Sequence, residues 1–76
     1  MECYYILVTE AQMAHIMSHG RFEFSPEEAE RVYDAYCKEY ELNGKKATVV
    51  LEEHEFDFAE DKYKLKSVLR KAEINF

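Results

Sequence analysis

The sequence predicts an α+β fold: one small domain, residues 1–76, in which a mixed or antiparallel sheet of about three to four strands packs against a main helix at about residues 26–41, with one or two shorter helices. Three stretches carry this. The run Cys3-Tyr4-Tyr5-Ile6-Leu7-Val8 is apolar, aromatic and β-branched, and too short for a helix. Ser25-Pro26 opens a segment whose apolar residues recur at helical spacing. Ala47-Thr48-Val49-Val50-Leu51 begins a second β-rich stretch.

Taken in order, residues 3–8 read as a buried strand. Thr9-Glu10-Ala11-Gln12 matches a capping box, so a short helix is expected over about 10–18, with Met13, Ile16 and Met17 on one face and Gly20 as its left-handed stop. Arg21-Phe22-Glu23-Phe24 alternates as a brief edge strand would. For the main helix, Ser25 is the N-cap, Pro26 takes the first-turn position where a missing amide costs nothing, and Glu28 completes a second capping box. Ala29, Val32, Tyr33, Tyr36, Cys37 and Tyr40 define its buried face, and Asn43-Gly44 ends it.

Residues 45–58 form a long strand. Its apolar parity switches between Leu51 and Phe56, which predicts a bulge or bend near Glu52-Glu53. The last segment has two readings. As a helix over about 60–71 it carries acids at its start and bases at its end, as the macrodipole prefers. As a strand it would pair Asp57 with Lys62, Glu55 with Lys64 and Glu53 with Lys66, with Phe56 facing Tyr63. The helix is favoured because Phe58-Ala59-Glu60-Asp61 lacks the Gly or Asn of a tight hairpin turn. A short terminal strand over 74–76 follows.

A chain of 76 residues buries only about 60% of the surface its unfolded form exposes, so the core is thin. Six Tyr and five Phe exceed what that core holds, so some rings belong at the surface, where they serve a partner or a second copy. Two cysteines without a Cys-x-x-Cys pair point to a reduced, cytoplasmic setting, and no run is long enough for a signal peptide or membrane span.

Charge is unevenly spread. Residues 1–60 hold fourteen acids against five bases, and residues 61–76 hold two against five. Glu53, Glu55 and Asp57 would alternate along one strand face at about 6.6–6.8 Å, a spacing at which carboxylates can imitate a nucleic-acid backbone. On the helix, Glu27, Glu30, Asp34 and Glu41 form a second stripe, although Arg31 and Lys38 stand four residues after Glu27 and Asp34, as in an ordinary solvated face.

His15 and His19 are the only ligand pair at metal spacing, and a zinc site needs two such sets. Neither a metal nor a cofactor is expected. Cys37, on an apolar helix face with no Gly-rich oxyanion turn in the chain, reads as a small core residue, and enzyme activity is not expected. Lys62, Lys64, Lys66, Arg70 and Lys71 form a basic tail that would either contact phosphate or neutralise the acids beside it.

The resulting expectation is a small acidic, non-enzymatic interaction protein. Glu53, Glu55 and Asp57, supported by Glu52, Glu30 and Asp34, would engage the basic surface of a larger protein, with the nucleic-acid-binding groove of a processing enzyme as the model and inhibition, of the kind phages and mobile elements use, as the effect. The alternative is a self-associating regulator or accessory subunit, such as a homodimer, that touches nucleic acid through its basic tail.

Overall fold

The computed structural model describes residues 2–76. Four strands and one helix follow one another as β1 (Glu2–Gln12), β2 (His15–Glu23), α1 (Pro26–Asn43), β3 (Ala47–Asp57) and β4 (Lys62–Ile74). The strands form one sheet in the order β2-β1-β3-β4, every neighbouring pair antiparallel, and α1 packs across one face. The α+β class therefore holds, with α1 the single helix among the described residues.

Helix α1 is built as its local signals dictate. Ser25 is extended and its Oγ accepts the Glu28 amide at 3.4 Å, while Pro26 occupies the first turn. Glu28 does not close the box, because its carboxylate pairs with Arg31. At the other end Gly44 adopts φ 66°, and the amides of Gly44 and Lys45 return to the Glu41 and Tyr40 carbonyls. Asn75 Nδ2 also donates to the Tyr40 and Lys45 carbonyls, tying the end of the chain to the helix. Replacing Ser25 by Ala is expected to lower stability by about 1 kcal/mol in a urea melt, since it orphans one first-turn amide.

The core lies between α1 and the sheet. Ile6, Val8, Ala47, Val49 and Leu51 meet Ala29, Tyr33 and Tyr40, with Val32, Tyr36, Cys37, Ala72 and Ile74 packed at its margin. In β1 these are the even residues and in β3 the odd ones, as the register Ile6 opposite Leu51 and Val8 opposite Val49 requires.

Two expectations are overturned. Residues 10–18 form no helix: β1 continues to Gln12, turns through Met13-Ala14 and returns as β2. β1 is flanked on both sides, and hydrogen bonding to β2 and β3 outweighs a capping-box signal of local origin. The turn has no Gly, so Ala14 itself takes φ 68°. Residues 60–71 are likewise strand, not helix. Asp57 closes the four-residue loop in place of Gly or Asn: its Oδ1 accepts the amides of Ala59 and Glu60 at 2.9 and 3.3 Å, and Asp61 supplies the left-handed residue at φ 55°.

That hairpin has the pairs foreseen for a strand, Asp57 with Lys62, Glu55 with Lys64 and Phe56 with Tyr63. Glu53, however, lies opposite Ser67 instead of Lys66, because the register shifts by one residue between His54 and Glu53; it shifts once more between Glu52 and Leu51. Both irregularities fall where a bulge was expected, but the surplus residues, Lys66 and Leu69, are on β4. The pairing of β3 with β1 runs unbroken. The apolar parity of β3 switches because the core ends at Leu51: beyond it, acids take the helix-side positions and aromatics the opposite ones. Ile74 is the last residue of β4, so no separate strand forms over 74–76.

Candidate partner-binding site

The alternation of β3 brings Glu53, Glu55 and Asp57 onto the helix-side face, in line with buried Leu51. Glu2 lies opposite Glu55, and Tyr4 opposite Glu53. Burial raises the pKa of the Tyr4 hydroxyl, and the neighbouring carboxylates of Glu53, Glu2 and Glu27 raise it further. These residues therefore form one acidic patch near the N-terminal end of α1, on the two central strands where β1 begins and β3 ends.

The patch is partly neutralised from within. Lys64 contacts Asp57 at 3.1 Å and holds its carboxyl below the ordinary range, with the Glu60 and Ala59 amides adding to the effect. Lys66 does the same for Glu2 at 3.0 Å. Glu53 accepts a hydrogen bond from Ser67 at 3.4 Å, and Glu55 is exposed. Among the described residues neither Glu53 nor Glu55 has a cation within 4 Å.

The remaining acids expected to support the row are elsewhere. Glu52 has the opposite parity, on the uncovered face, where its carboxylate meets His54 Nε2 at 3.0 Å. Glu30 and Asp34 converge on Arg70 at 2.6 and 3.1 Å, and the Arg70 guanidinium lies 4.4 Å above the centre of the Tyr33 ring. They fasten α1 to β4. Of the two helix-surface pairs suggested by spacing, neither forms: Arg31 takes Glu28, and Asp34 takes Arg70.

The face without a helix carries a different chemistry. Tyr5 stacks with Phe22 at 4.5 Å between ring centres, His54 stands edge-on to both at 5.7 Å, and Tyr63 joins Phe22 at 6.2 Å and Phe56 at 5.2 Å. Gly20 makes room for this, since a Cβ there would clash with Cζ and the hydroxyl oxygen of Tyr5 and lie 2.7 Å from the Ile6 carbonyl oxygen. Leu7, Val50, Leu65 and Val68 share the parity of these rings. The regular strand positions of that face hold only three charged residues, Glu52, Lys71 and Glu73. The aromatic excess was legible in composition, but the assembly of one cluster from all four strands was not.

The histidines are dispersed. His19 lies on the helix side of β2, 3.3 Å from the Tyr40 hydroxyl and edge-on to Tyr36, whereas His15 opens the strand opposite Gln12. Among the described residues no group of three or more His, Cys, Asp or Glu is placed to hold a metal ion. Cys3 and Cys37 are free thiols whose pKa burial raises. No helix among the described residues is long and apolar enough to cross a membrane. No family model, curated protein or solved structure matches this chain in the three comparisons made.

Proposed function

We propose that the protein is a small non-enzymatic interaction protein that applies the acidic patch at Glu53 and Glu55, flanked by Tyr4 and Glu27, to a basic surface of a larger protein. The observation supporting this is the segregation of charge. Six of the eight strand acids take the helix-side parity, and among the described residues Glu53 and Glu55, at the period-two spacing, have no cation within 4 Å. Fixing them on a central strand reduces the entropy lost on binding. A nucleic-acid-binding groove is the partner surface this spacing suits, because such grooves respond to the density of negative charge, and occupying one would inhibit it. Four of the five bases of the tail are drawn to this chain's own acids, which weighs against direct nucleic-acid binding: Lys62, Lys64, Lys66 and Arg70 each contact a carboxylate.

The test compares two double reversals with the same change in net charge. Proteins retained from a native-host lysate on the immobilised chain are eluted along a salt gradient, with double-stranded DNA as competitor. Changing Glu53 and Glu55 to Lys is expected to weaken retention by about tenfold or more, and changing the exposed Glu39 and Glu41 to Lys by much less. DNA is expected to displace the retained partner. Equal losses from the two variants would show that only net charge matters.

A further inference from the structure

We infer that the uncovered face of the sheet is a homodimer interface, on which a second copy of this chain packs its own uncovered face. This does not rest on the acidic patch, which would point outward from both sides of such a pair.

Three observations lead to a second copy. The first is area. The strands hold 11, 9, 11 and 13 residues, each about 3.3 Å along the strand and about 4.8 Å across it, and make a face of roughly 700 Å², comparable with the roughly 800 Å² that each partner gives to a standard interface. The second is composition. Leu65 and Val68 are 54% and 53% exposed and Phe22 is 47% exposed, and with half-buried Tyr5, Leu7, Val50, Phe56 and Tyr63 they surround the mutually paired Glu52 and His54 with apolar surface. An apolar surface of this extent on a soluble chain marks a contact site. Rings that lose little entropy on ordering are characteristic of interface centres.

The third is charge. Two copies with a formal charge of −6 each repel through almost any pairing of their helix-bearing sides. The uncovered face is the exception. Its strand positions carry two acids and one base, and one of those acids is already engaged by His54. A partner with a basic surface would find little to attract it here. A copy of the same face meets no strong like charge and buries apolar area on both sides, as two antiparallel sheets do in a sandwich with about 10 Å between layers.

Sedimentation equilibrium over about 1 μM to 1 mM tests this directly. The parent chain is expected to reach twice its 9.1 kDa mass. Changing Leu65 and Val68 to Glu adds two charges to the face at positions already half exposed. That variant is expected to remain at 9.1 kDa with the far-ultraviolet circular dichroism of the parent. Changing Met13 and Leu42 to Glu adds the same charge at positions 94% and 77% exposed, outside the face, and is expected to leave the dimer intact. A parent chain that stays at 9.1 kDa throughout overturns the proposal, as does a Leu65/Val68 variant that still dimerises. Equal dissociation of the two variants also overturns it, since net charge alone would then govern association. A monomeric parent that instead binds neutral lipid vesicles would assign the face to a membrane surface.

Discussion

Truncating Tyr33 to Ala is expected to cost about 3–5 kcal/mol, as loss of a fully buried aromatic ring does. A domain of 76 residues has only about 4–11 kcal/mol of stability in total, so this one change leaves much of the population unfolded. Tyr33 is 2% exposed and sits at the middle of the buried face of α1, between Ala29 and Tyr40. Its ring also carries Arg70, which in turn holds Glu30 and Asp34, so the truncation removes the platform of an ion-paired cluster along with core volume. Tyr36 faces the same way but is half-buried at the margin, against His19, and its replacement by Ala is expected to cost about 1–2 kcal/mol. Urea melts of the two variants check the ranking. Equal losses would mean that α1 rests on β2 as heavily as on the centre of the sheet.

Elements whose signals are local were legible in the sequence, and those decided by partners distant in the chain were not. Helix α1 has its start written in Ser25 and Pro26 and its stop in Gly44, all within contact range of the groups they satisfy. Thr9-Glu10-Ala11-Gln12 has equally good local credentials as a helix start, yet it lies in a strand hydrogen-bonded on both sides, and nothing within the segment encodes that. In residues 60–71 the gradient from acid to base satisfies a helix dipole and a hairpin's cross-strand pairs alike, so charge could not decide between them. The loop closure is the exception to this rule, a local signal of a kind other than Gly or Asn: the Asp57 side chain accepts the amides two and three residues further on.

The acidic row was legible for the same reason as α1: period two is a property of one strand. Its partial neutralisation by the basic tail was legible as one of two uses of that tail, but the partners were not, because Lys64 takes Asp57, Lys66 takes Glu2 and Arg70 crosses to α1 only once β4 lies beside β3. The aromatic cluster is the extreme case. Tyr5, Phe22, His54 and Tyr63 come from four different strands, and no window of sequence contains them together.

Alkaline pH is expected to unfold the protein chiefly through Tyr33 and Tyr40. Burial pushes both phenols up from 10 to about 12; the neighbouring Cys37 adds to the shift at Tyr33, and a Glu10 carboxylate adds to it at Tyr40. A phenol with a raised folded-state pKa stays protonated in the native state after the unfolded chain has begun to ionise. Its full contribution is therefore present below pH 10 and is lost as pH rises toward about 12. With an unfolded value near 10, each tyrosine withdraws roughly 1.4 kcal/mol by pH 11 and over 2 kcal/mol by pH 12. Together they remove roughly 4–5 kcal/mol, comparable with the whole stability of so small a domain. Lysine deprotonation overlaps this window, so the informative comparison is with Tyr33→Phe/Tyr40→Phe. That variant keeps both rings and loses the hydrogen bond between Tyr40 and His19, at a cost of about 1 kcal/mol at pH 7. Urea midpoints for parent and variant should therefore favour the parent at pH 7, converge a little above pH 10 and favour the variant by pH 11. Parallel midpoints across the range would show that ionisation of these two phenols does not oppose folding, and that their hydroxyls reach water in the native state.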